Sequence, residues 1–216
     1  MNIDLARQQM VQQQVRTWDV FDATILKVLS TVPREQFVPA GLETLAFAET
    51  ELPLRHGQQM MTPNVEGRML QALDIKPSDS ALEIGTGSGF ITACLAVLAK
   101  SVTSIDVHED FQTAAAANLE DSGISNFDLQ VMDATQQLPD AEYDVIAVTG
   151  SIEEFDPRLV MALKDGGRLF VVVGSSPNME ARLVRRTGEN DWQTTGLFET
   201  DLPALVNAGL PPQFSF

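Results

Sequence analysis

Apolar positions along residues 3–16 fall at Ile3, Leu5, Ala6, Met10, Val11 and Val15, roughly helical spacing that predicts a first helix. Asp22 is placed to cap a second helix over residues 23–32, which Pro33 ends. "VPREQFVP" reads as an extended connection, and residues 52–63, "LPLRHGQQMMTP", as irregular chain. A third helix is expected over 64–75, "NVEGRMLQALDI".

After Pro77 the pattern changes to short apolar runs alternating with helical segments. Strands are expected at 80–84, 101–106, 127–133, 143–150 and 168–174, and helices at 90–100, 109–123 and 156–167. Residues 179–187 and 192–200 alternate apolar and polar side chains, which suggests two further strands forming an antiparallel edge. Strands that are apolar on both faces, alternating with helices, belong in a parallel sheet covered on both sides. The expected fold is therefore α/β, with N-terminal helices packed on the sheet edge or over the ligand cleft. The reading is one domain over 1–216, with a helical, cleft-covering region (1–76) and a sheet region (77–216).

Composition narrows the function. A formal net charge of −16 opposes nucleic acid and anionic membrane surfaces, so neither is an expected partner. The one basic cluster, Arg182 to Arg186, reads as an exposed strand or helix face. The single cysteine, Cys94, cannot form an internal disulfide and lies in an apolar run, where it reads as a small buried hydrophobe. The N-terminus lacks the apolar core of a signal peptide, and the longest apolar run is about half a membrane span. The expectation is a soluble, cytoplasmic protein. Two histidines and one cysteine make a transition-metal site unexpected.

The candidate chemistry centres on "ALEIGTGSGF", residues 81–90. Gly85, Gly87 and Gly89 follow the first strand of the sheet, where open parallel sheets bind ligands. The spacing is G-x-G-x-G, not the dinucleotide G-x-G-x-x-G, and no phosphate-loop lysine follows. Glu83 stands two residues before the turn; a carboxylate there opposes a phosphate and favours a cation. Asp106 ends the second strand, where it can accept both hydroxyls of a ribose, and Asp133 ends the third, where it can accept adenine amino hydrogens, with the Ala134 amide beside it. Together these predict S-adenosylmethionine, a nucleoside with a positively charged arm and no phosphate.

The sequence resembles the protein-L-isoaspartate O-methyltransferase family from residue 7 to about 175, through "MVQQQVR", "VPREQFVP", "LPLRHGQQMMTP", "ALEIGTGSGF", "YDVIAVTG" and "DGGRLFVVVG" in the family's order. The resemblance implies a seven-stranded methyltransferase sheet and methylation of isoaspartyl carboxylates in damaged proteins. It implies cofactor contacts from Glu83, Gly85, Thr86, Gly87, Asp106, Val107, Asp133 and Ala134, with Ser88 and Gly89 completing the turn. It also implies that residues 58–63 cross the cleft to meet cofactor and acceptor. There the chain departs from the family's H-G-Q-T-I-S-x-P: Gln59 replaces the threonine, Met61 the serine, and Thr62 brings a hydroxyl one position later. A second departure is "MDAT" where the family usually has Gly-Asp-Gly after the third strand. Arg55, His56 and Arg68 flank the acceptor segment and would favour an anionic substrate. The departures leave two alternatives open: a methyltransferase with another, possibly small-molecule, acceptor, and a cofactor-binding protein that has lost activity. A dinucleotide dehydrogenase is opposed by the glycine spacing and Glu83.

Overall fold

The computed structural model describes residues 2–208. Helix α1 (Ile3–Gln9) starts at an Asn2 cap and passes into a π turn over Met10–Gln14 and a 3-10 turn over Val15–Trp18. One continuous α-helix was expected there. The widened turn brings Met10 and Val15, five apart, onto one side, and with Val11 they are wholly buried. Helix α2 (Ala23–Thr31) is capped as expected: Asp22 Oδ1 accepts from the amides of Thr24 (2.7 Å) and Ile25 (3.0 Å).

Residues 52–63 are more ordered than the sequence suggests. Strands β1 (Leu52–Pro53) and β2 (Gln59–Met60) pair antiparallel, and helix α3 (Pro63–Leu73) follows directly. The sheet is then laid down by β3 (Ser80–Ile84), α4 (Phe90–Leu98), β4 (Ser101–Asp106), α5 (Glu109–Asp121) and β5 (Phe127–Val131). It continues through β6 (Tyr143–Ile152), α6 (Arg158–Met161), β7 (Leu163–Ser175), β8 (Asn178–Arg186) and β9 (Trp192–Glu199).

The seven strands lie in the order β5-β4-β3-β6-β7-β8-β9, parallel as far as β7. The antiparallel edge is present: β8 pairs antiparallel with both β7 and β9. Strand alternation divides the core between the faces. Val145, Ala147, Phe170 and Val172 join the cluster under α2, α3 and α4, while Ile146, Val148, Leu169 and Val171 join the one beside α6. The expected helix over 156–167 shrinks to four residues, because β7 begins at Leu163, opposite Tyr143, and bulges through Gly166 and Gly167. Strand β5 ends two residues before the expected 133, so Asp133 heads a turn. Among the described residues, no helix is long and apolar enough to cross a membrane.

The end of the described chain returns to the sheet. Leu205 N–H donates to Ser151 O (2.9 Å), Ser151 N–H to Pro203 O (2.9 Å), and Ser151 Oγ to Leu202 O (2.8 Å). The apolar segment 204–216 could by its sequence fold back on the core or meet a second subunit; its described part, as far as residue 208, lies against β6, and residues 209–216 lie outside the described residues.

Candidate functional site

Chain reversal between β4 and β6, on either side of β3, opens a crevice at the strands' C-terminal ends, and the glycine turn occupies it. Gly85 has φ +101°, and a Cβ there would stand 2.3 Å from Thr149 Oγ1. Only glycine fits, because Thr149 crosses beneath to donate to the carbonyls of Gly85 (2.6 Å) and Ile84 (3.0 Å). Two adjoining hollows result. The larger, about 670 Å³ with its open mouth, is lined by the predicted Gly85, Gly87, Asp106, Val107, Asp133, Ala134 and Gln59. The smaller, about 310 Å³, is lined by Glu83, Thr86, Ser88 and Met61, and shares Gln59, Gly85 and Gly87 with the first. Gly89 and Thr62 line neither. Gly89 instead lets α4 approach α5, since a Cβ would fall 2.9 Å from that of Ala115. Thr62 precedes α3, and its side chain makes no capping bond.

Glu83 lies wholly buried beneath the turn. Its Oε2 accepts from the hydroxyls of Thr92 and Ser104 (2.6 Å to Ser104), and its Oε1 has no partner. A polar chain supports it: Gln112 donates to Thr86 Oγ1 (3.0 Å), which shares a hydrogen bond with Ser104 (2.6 Å). Burial pushes the Glu83 carboxyl up to about 8, against the two hydroxyls and aided by the charge of Asp106. Asp106 accepts the Gly87 amide on Oδ2 (3.0 Å) and the His108 amide on Oδ1 (2.9 Å), which fixes its orientation at the cleft. Asp133 accepts from the amide and hydroxyl of Thr135 (2.9 and 2.6 Å) and from Asn207 Nδ2 (2.8 Å). Burial raises its carboxyl, but these bonds outweigh burial and hold it below the ordinary value.

The acceptor segment is anchored from behind. Arg34, wholly buried, donates to both oxygens of Glu66 (2.9 and 3.0 Å), to Ala46 O (2.6 Å) and to Met61 O (2.7 Å). Its guanidinium carbon also stands 5.3 Å from the ring centre of Phe90, the first residue of α4. Burial raises the Glu66 carboxyl to about 7, with Arg34 pulling the other way. Met60 and Met61 are buried, whereas Gln59 is exposed where the hollows meet.

Of the basic residues expected near the acceptor, none is free to face it. Arg55 and His56 both engage Asp110 on α5, at 2.9 and 3.0 Å. The hydrogen bond from His56, with Arg55 beside it, holds the Asp110 carboxyl below its usual range despite some desolvation. His56 stacks on His108, ring centres 3.9 Å apart and planes within 10°. His56, His108 and Asp110 place ligand-type atoms within 4.8 Å of one another, but Asp110 is already committed to Arg55 and His56. Arg68 packs its guanidinium 4.1 Å from the ring centre of Phe198, on β9. Cys94 is buried, with its thiol pushed well up by burial, and is inert. Sequence reasoning missed Leu54, Phe111, Thr149, Pro203, Leu205 and Val206, all of which line the larger hollow.

Comparison with known proteins gives a consistent picture. The family model for protein-L-isoaspartate(D-aspartate) O-methyltransferase matches residues 5–202. A protein-L-isoaspartate O-methyltransferase of Koribacter versatilis (strain Ellin345) is 36% identical over 210 residues, covering 96% of this chain and 94% of the relative. One from Methanoculleus marisnigri (strain ATCC 35101 / DSM 1498 / JR1) is 37% identical over 184 residues, 84% of each chain. Among solved structures, a Plasmodium falciparum protein described as a protein-L-isoaspartate O-methyltransferase, in complex with S-adenosyl-L-homocysteine, superposes with a TM-score of 0.81. The match covers 92% of this chain and 97% of that one, and at 17% identity it speaks for the fold.

Proposed function

The chain belongs to the protein-L-isoaspartate(D-aspartate) O-methyltransferase family, and from that premise we propose that it methylates the stray carboxylate of L-isoaspartyl residues in damaged proteins, using S-adenosylmethionine. One observation supports this reading above the others. Among the described residues, the two hollows are lined by the acidic side chains of Glu66, Glu83, Asp106 and Asp133 and by no lysine or arginine. Such a cleft disfavours a pyrophosphate and suits a donor whose net charge is positive. The unpartnered Glu83 Oε1 and the glycine turn fit that donor. In this reading Asp106 takes the ribose hydroxyls, Asp133 and Ala134 face the base, and Glu83, protonated before the donor binds, gives up its proton as its Oε1 meets the ammonium of the amino-acid arm.

When bound, S-adenosylmethionine supplies a methyl group activated by a sulfonium. An isoaspartyl carboxylate is already ionised at neutral pH, so the chain has no proton to remove. Its residues have to hold the acceptor oxygen in line and exclude water. Gln59, exposed at the junction of the hollows, carries a side-chain amide able to donate to that carboxylate. Met61, at the family's serine position, donates nothing and packs the wall. Thr62 lines neither hollow and has no part in this reading. The relatives' names carry the isoaspartyl acceptor, which favours it over a small molecule.

The test is transfer of a labelled methyl group to an L-isoaspartyl peptide, with the L-aspartyl peptide of the same sequence as control. Transfer to the first alone is expected. No transfer to either, with S-adenosylhomocysteine binding intact, would sink the assignment. A Met61→Ser variant that alone gained activity would show that methionine had switched the reaction off.

A further inference from the structure

Arg34 and Glu66 form a pair 0% and 1% exposed on the side-chain level, far from solvent and outside the reacting centre. A buried ion pair is weak evidence of stabilisation, because desolvation offsets most of its attraction and apolar replacements often do as well. What Arg34 holds is therefore more telling than its charge. Nη2 is shared, one bond going to Glu66 Oε1 (3.0 Å) and the other to Met61 O (2.7 Å). Glu66 is also part of the wall of the smaller hollow, beside Glu83. Thus one nitrogen joins a carboxylate that faces the hollow to the main chain of the acceptor segment, while the guanidinium face rests on Phe90 at the end of the glycine turn.

We infer that the Arg34–Glu66 pair is a positioning device that couples occupation of the smaller hollow to the placement of the acceptor segment, residues 59–62. The inference rests on the methyl-transfer reading for what the hollow receives. A cationic group entering it draws on the charge of Glu66, whose side chain reaches the acceptor segment through Arg34, beside the main-chain bond from Glu66 N–H to Thr62 O (3.1 Å). The fork is needed as well as the charge: Nε and Nη2 grip Glu66 while Nη2 also reaches Met61, a geometry that a lysine ammonium cannot reproduce. Neither residue touches the reacting atoms, so both act through Met61 and its neighbours.

The experiment compares wild type, Arg34→Lys and the double variant Arg34→Met/Glu66→Met, which removes both charges and leaves no buried ion unpaired. Amide hydrogen exchange over residues 59–62 is followed with and without saturating S-adenosylhomocysteine, alongside steady-state kinetics with an isoaspartyl peptide. Wild type is expected to slow its exchange there by about fivefold or more on binding, and both variants to lose that protection. Turnover is expected to fall about 10- to 100-fold in the double variant, with KM for the peptide within about threefold, as a misplaced acceptor requires. Protection retained in the variants, protection absent in wild type, or turnover within about twofold of wild type would each overturn the inference. If wild type fails to methylate the peptide, the proposed function falls, and the exchange measurement still decides the coupling. If the double variant does not fold, Arg34→Lys, which keeps a cation beside Glu66, carries the same exchange test.

Discussion

Glu83→Gln isolates the most perturbed carboxyl of the cleft. Glu83 is wholly buried, its Oε2 is engaged by Thr92 and Ser104, and its Oε1 is free to carry a proton. Its carboxyl moves from 4.5 to about 8 in the fold. Between those values the native state holds a proton that the unfolded chain has released. Stability from this group is therefore complete below about pH 4.5 and is lost as pH rises through 8. The full gap corresponds to about 5 kcal/mol, of which about 3 kcal/mol falls between pH 5.5 and pH 8. The variant has no proton to lose. Its amide can keep the oxygen on the Thr92 and Ser104 hydroxyls, but turns an unpartnered NH₂ inward, a pH-independent cost of about 1–3 kcal/mol. The assay is urea unfolding of both proteins at pH 5.5, 6.5, 7.5 and 8, without ligand. The stability difference, wild type minus variant, is expected to shrink by about 3 kcal/mol across that range. Taking the difference cancels Glu66 and the other groups that titrate in both. A difference that stays constant with pH, or grows as pH rises, refutes the argument that Glu83 is held protonated by burial.

Gln59→Ala is expected to lower turnover on an isoaspartyl peptide by about 10²-fold, if its amide is the donor to the acceptor, with S-adenosylhomocysteine affinity unchanged by calorimetry. Gly89→Ala places a Cβ 2.9 Å from that of Ala115 at a residue with φ +84°, so urea titration should show a loss of about 2–3 kcal/mol. Asp22→Ala removes the acceptor of two amides at the start of α2 and should cost about 1 kcal/mol by the same measurement, with turnover intact.

The sheet was readable because its signals are local. Each strand is an apolar run, each helix has its own period, and the glycine turn falls between β3 and α4 where the pattern changes. The carboxylates that line the cleft were readable for the same reason, since strand ends can be placed from the sequence. What stayed hidden depends on distant partners. Strands β1 and β2 are two residues each, too short for any period to register, and they exist because Leu52 and Met60 are buried against the core. Nothing local predicts that His56 will stack on His108, or that Arg34 will be withdrawn from solvent to grip Glu66 and Met61. Arg34 falls within "VPREQFVP", so the motif was visible while the reason for its arginine was not. Glu83 was rightly placed beside the turn, but its burial, and hence its proton, could be known only from the hydroxyls that surround it.

The cleft takes part of its wall from Leu54, in the segment before the sheet, and part from Pro203, Leu205 and Val206, joined to β6 through Ser151. During synthesis, the floor of glycines and aspartates is made long before its cover. A nascent chain that has completed β3 to β6 has the charges but not the enclosure. The enclosure is thus completed by almost the last residues described, and a chain truncated before Leu205 would leave the cleft open on that side.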